Sequence, residues 1–247
     1  MRFRRVLVPA AMTGRELLRR HVAMGLLTGL PLAFYGSSLS QGAHHAAVTG
    51  GIAMAFSVAG ASIFAALTAR PVDQRLVLAG YHPYELLLGR LLFLELFGVV
   101  VSAVFSVIMV LGTDPAHPVQ LGVGVELVAV TSVPFGLAVG ALAPHELEGV
   151  LILIGVVGIQ LTLDSTQTIA KLLPFWGPQR LIGHSVGVSV STGIAPLVAV
   201  AYAIALLGVA AYIVHRRAPS SQRSGIRQSQ VDRIWRANDP RSRSPLA

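Results

Sequence analysis

Residues 21–69 contain no Asp, Glu, Lys or Arg. About 20 consecutive apolar residues suffice to cross the hydrocarbon of a bilayer, so this one stretch has room for two crossings. The pattern continues along the chain. Only 12% of residues are charged and 53% are hydrophobic, whereas a soluble domain carries about 25% charged residues. The expected fold class is therefore all-α, a polytopic membrane protein. The net charge of +8 comes from arginines that flank the apolar runs, as the positive-inside rule describes. It signals topology rather than nucleic-acid binding. The chain has no cysteine, which excludes disulfides, thiol catalysis and cysteine-ligated metals.

The apolar runs place six spans, at about 22–39, 50–68, 87–111, 119–142, 149–163 and 193–214. Before the first, Thr13 and Glu16 have capping-box spacing and start a helix near Gly14. Arg15, Arg19 and Arg20 then mark an amphipathic approach along the headgroups. The apolar run behind them ends in no small-residue cleavage site, so it reads as a retained span rather than a signal peptide. Pro31 is expected to kink it. His44 and His45 fall in a polar loop before the second span. Gly136 and Gly140 in the fourth span form a small-residue packing face. The fifth span is short. The connection after it, 164–190, contains Lys171, Trp176, Arg180 and His184. It is expected to form short helices that return partway into the bilayer, with Trp176 as an interface anchor. Residues 218–247 have no apolar period and read as a disordered basic tail.

The most structured polar connection is Arg70–Arg90. Pro71 can open a helix, Asp73 suits its first turn and Gly80 can stop it. Pro83 and Glu85 then open the long third helix. Counted from Pro83, that helix has about 29 residues and reaches ~43 Å, more than the ~30 Å hydrocarbon core, so its first turns project. Seventeen arginines fall on one side if both termini share it, and Lys171 and Arg180 fall on the other. That bias places 70–90 and both termini in the cytoplasm, in a multi-pass protein of the inner (plasma) membrane.

The chemistry is sparse. There is no Gly-x-x-x-x-Gly-Lys-[Ser/Thr] phosphate loop, and no nucleophile constellation. His145-Glu146 lacks the second His of a zinc motif, because Gly occupies position 149. No catalytic or metal residue is assigned. Glu95 and Glu126 fall inside apolar spans, where a carboxylate is costly; each is a translocation-pathway candidate or, alternatively, an interfacial or partner-paired carboxylate with a structural role.

The run Arg75-Leu76-Val77-Leu78-Ala79-Gly80-Tyr81-His82-Pro83-Tyr84-Glu85-Leu86-Leu87-Leu88-Gly89-Arg90 resembles the loop between the second and third spans of ABC type-2 exporter permeases. The N-terminal approach is similar to their elbow helix. The stretch from Glu146 through Asp164 to Leu173-Pro174-Phe175-Trp176-Gly177-Pro178 is similar to their fifth span and re-entrant outer segment. The resemblance covers about residues 10–217. It implies a non-enzymatic membrane subunit that forms a pathway with a second permease subunit, as a homo- or heterodimer. ATP and Mg would be held by a separate ATPase subunit. Asp73, Arg75, Tyr81, His82 and Glu85, with Arg15 and Arg19 from the elbow, would then couple the two. The implied activity is export of hydrophobic or amphipathic cargo, such as drugs or lipids. A membrane-embedded lipid-modifying enzyme and a non-transporting scaffold or immunity protein are the alternative readings.

Overall fold

The structure, a computed structural model, describes residues 2–19 and 21–217; the expected tail, 218–247, lies outside them. Among the described residues every regular element is helical. The helices are α1 (Arg2–Arg19), α2 (His21–Ser38), α3 (Ala43–Leu78), α4 (Pro83–Thr113), α5 (Pro118–Leu142), α6 (Glu146–Thr162), α7 (Trp176–Ser185) and α8 (Ala195–Arg217). Short 3-10 turns occupy Leu39–Gln41 and Thr168–Leu172. Among the described residues α3, α4, α5 and α8 are long and apolar enough to cross a membrane. Helices α2 and α6 stand where the first and fifth spans were expected, with 18 and 17 residues. The protein is thus a helical membrane protein, with four helices of spanning length among the described residues.

Burial separates centre from rim. In α3 and α5, 78% of the apolar stretch is buried, against 28% in α4 and 17% in α8. The two central helices meet through small residues. A Cβ at Gly140 would lie 2.7 Å from Ala66 Cβ, and one at Gly136 would strike Ala59 backbone and Ser62. Close approach of this kind replaces the hydrophobic drive that lipid cannot supply. The rim helix α4 exposes Leu88, Leu92, Leu96, Val100, Val104, Val107 and Leu111. Their spacing of three and four residues makes one apolar stripe, suited to acyl chains.

Several boundaries differ from the sequence expectation. Helix α1 begins at Arg2 rather than near Gly14. Thr13 caps nothing; its hydroxyl donates to Pro9 O at 3.0 Å within the helix. Helix α1 lies on α4, where a Cβ at Gly89 would come within 2.5 Å of Val6 O and one at Gly14 within 2.6 Å of Phe93. The expected loop at His44 and His45 is the first turn of α3, which follows Gly42 at φ 107. Pro71 does not open a separate helix. It sits inside α3, which continues unbroken to Leu78. Proline has no N–H to donate, so it needs only that the carbonyl of Leu67 go without its helical donor. Buried residues of α3 end at Leu67, so that carbonyl falls where the helix leaves the core.

Trp176 is not an interface anchor. It is 1% exposed, and its Nε1 donates to Ser165 O at 2.8 Å. Helix α7 lies inside the bundle beside α5. Phe175 meets Phe135 edge-to-face at 5.7 Å, Ile182 lies over Gly124, and Ser185 O accepts from His117 N at 3.2 Å.

Candidate functional site: the 70–90 turn and the ionic pocket beneath it

The last 11 residues of α3, 68–78, leave the buried core and extend about 16 Å along the helix axis. The stop is a Schellman motif. Gly80 N–H donates to Val77 O and Tyr81 N–H to Leu76 O, both at 3.0 Å. Gly80 has φ 91, a value at which a side chain would be strained. Three residues after Gly80, α4 starts on Pro83, and Glu85 Oε2 accepts from the His82 backbone N–H at 3.0 Å. The tip of this helical hairpin is therefore fixed on both sides of the turn. Arg75 and His82 are exposed, and so are the apolar surfaces of Leu78 (72%) and Tyr84 (52%). Tyr81 and Glu85 are half-buried, Glu85 because it caps its own helix.

Asp73 faces inward. Both its carboxylate oxygens lie 3.0 Å from Arg90 Nη2. The pair clamps α3 to α4 about two turns behind the turn. Arg90 is buried, and its Nε has no hydrogen-bond partner. Arg70, one turn before Asp73, reaches the C-terminal end of α5. Its Nη1 donates to Pro144 O at 3.2 Å, and its Nη2 to the carbonyls of Gly140 and Ala143. Those carbonyls have no intrahelical donors, and a cation there also suits the negative end of the helix dipole. Helix α8 closes the assembly, with the Tyr84 ring stacked on His215 at 5.6 Å. Between α3, α4, α5 and α8 lies a cavity of about 300 Å³, lined by Arg70, Asp73, Arg90 and Arg217.

The sequence reading singled out Asp73, Arg75, Tyr81, His82 and Glu85, and the structure brings them to one hairpin. Arg15 is exposed on α1, and the Arg19 side chain lies outside the described residues. Arg70, Arg90 and Arg217 were missed as site residues. Opposite charges at positions 73 and 90, two turns either side of a helix–helix turn, were the available signal for one pair. Nothing local signals the contact of Arg70 with α5.

Glu95 and Glu126 are not brought together. Glu126 Oε2 accepts from Ser102 Oγ at 2.7 Å, tying α5 to α4. Glu95 is half-buried on α4, about 10 Å along the helix from Ser102. At the opposite end of the bundle, His184 Nδ1 lies 3.0 Å from Gln120 Oε1, and its ring stacks on His117 at 5.6 Å. Gln160 Nε2 donates to Gln179 Oε1 in the interior.

No protein-family model matches this chain, and no curated protein does.

Proposed function

We propose that this chain is the membrane-spanning subunit of an ATP-driven ABC-type exporter, coupled through the 70–90 hairpin to a separate ATPase. The observation that carries this reading is the hairpin tip. It is locked by a Schellman stop and a helix-cap contact, yet it presents Arg75, Leu78, His82 and Tyr84 outward. A tip with no receptor needs neither the rigidity nor the exposed apolar side chains. A rigid tip transmits displacement, and α3 connects it without a break to the most buried part of the bundle. The absence of a phosphate loop from the sequence fits a chain that receives work from an ATPase rather than performing hydrolysis.

In this reading both termini and the hairpin are cytoplasmic, and six helices cross, with α2 and α6 as the two shorter spans. The amphipathic α1 lies against the membrane face, and α7 is the inner leg of a re-entrant segment. Two such subunits enclose the pathway, and the mostly apolar helices suit hydrophobic or amphipathic cargo. ATP and Mg are bound by the partner ATPase. Closure of the ATPase pair then tilts the hairpins and switches access between the two faces.

The test is reconstitution with an ATPase subunit, sought first among the genes that neighbour this one. Arg75→Glu combined with Leu78→Asp should abolish co-purification or uncouple ATP hydrolysis from cargo movement, with the fold intact. Normal complex formation and normal coupling in that variant would refute the docking role.

A further inference from the structure

The cavity beneath the hairpin has an unusual charge pattern. Three arginines and one carboxylate line it. Asp73 neutralises Arg90. Arg70 spends its donors on carbonyls, which satisfy its hydrogen bonds but not its charge. Arg217 stands close enough for its charge to act on Arg70. Neither has a counter-charge among the described residues. Arg90 Nε, in a side chain only 7% exposed, is also unbonded. A buried donor without a partner calls for a ligand or water. The remaining walls are apolar, from Leu86 and Leu87 of α4, Leu137 of α5, and Ile213 and Val214 of α8.

From this we infer an anion site: the cavity binds a phosphate group between Arg217 and Arg90 Nε, with the apolar walls holding an attached acyl chain. Guanidinium groups match phosphate oxygens in geometry and charge. A basic pocket between helices at the end of a bundle is where an anionic lipid headgroup is recognised. Two of the helices that line the cavity, α4 and α8, are the least buried of the spanning-length helices, so their exposed sides offer an acyl chain a path. The chain's own tail is poorly suited to fill the site, since residues 218–247 hold six arginines against Asp232 and Asp239. The inference is independent of any ATPase partner.

The test uses the purified full chain alone, stripped of lipid and examined by native mass spectrometry. Phosphatidylglycerol, phosphate-free diacylglycerol and inorganic phosphate are titrated separately. Phosphatidylglycerol should be retained about tenfold more tightly than diacylglycerol, the equivalent of one charge-assisted hydrogen bond. Arg217→Gln should remove most of that preference. Arg90→Lys, which keeps the ion pair with Asp73 but has no Nε donor, should weaken it independently. Millimolar inorganic phosphate that displaces the lipid supports the site with the free ion as its source. Phosphate that leaves the lipid bound supports the lipid. Equal retention of the two lipids, or unchanged retention in both variants, overturns the inference.

Discussion

Replacing Asp73 by Asn removes the one carboxylate that faces Arg90. The Arg90 side chain is 7% exposed and the Asp73 side chain 28%, with both carboxylate oxygens 3.0 Å from Nη2. Breaking a buried pair from one side costs about 3–5 kcal/mol, because the remaining charge stays desolvated. Water reaches Asp73 more readily than Arg90, so the lower end applies and Asp73→Asn should cost about 3 kcal/mol. Arg90→Met leaves the more hydrated partner behind and should cost about half as much. The combined Asp73→Asn/Arg90→Met variant has no stranded charge and should lie within about 1 kcal/mol of the parent. The cycle therefore predicts a coupling energy of about 3.5 kcal/mol or more. Equilibrium unfolding of the purified protein in mixed micelles, titrated with dodecyl sulfate, measures all four corners. Additive single effects would show that the pair contributes nothing as a pair, and the account of the hairpin clamp would fail.

Gly136→Leu drives a side chain into Ala59 and Ser62 and should prevent α3 and α5 from closing, lowering stability by about 3 kcal/mol or more in the same titration. Gly80→Ala places a Cβ at φ 91 and should cost about 1 kcal/mol, with cargo coupling impaired more than stability. Arg70→Gln strips the C-terminal carbonyls of α5 of a cation and should cost about 1–2 kcal/mol, seen as faster amide exchange in residues 140–146. Gly89→Leu should push α1 off α4, because Val6 O and Pro9 occupy that space; proteolysis at the exposed Arg15 should then accelerate.

Local chemistry wrote some boundaries plainly and others ambiguously. Pro83 with Glu85 fixed the start of α4, because proline at a first helical position needs no donor. The same residue type misled at Pro71. A proline also fits inside a helix where the freed carbonyl can go unbonded, and only burial along α3 reveals that it leaves the core there. Thr13 and Glu16 have the spacing of a capping box, but α1 has already begun upstream and the Thr13 hydroxyl turns back to Pro9. The residues of the hairpin were legible because they are contiguous. The pocket was not. Arg70 meets Gly140 and Ala143 some seventy positions away, and no periodicity carries information over that distance. The buried state of Trp176 was hidden for the same reason, since its place depends on a cleft formed by α3, α5 and α8.

Helix α7 has a consequence for the order in which the protein assembles. It contains Gln179, Arg180 and His184 within ten residues, too many polar groups to enter a bilayer unaided. Its place depends on neighbours already arranged. Ile182 needs the space left by Gly51 and Gly124, Gly177 abuts the backbone of Ala195, and the Gln179 amide hydrogens go to the carbonyls of Gln160 and Leu163. The long helices can insert independently, but α7 must wait for them to meet. It is the closing step of maturation. A larger side chain at position 51 or 124 should leave the long helices inserted with their central cleft empty, and the Gln179 amide without the carbonyls it now meets.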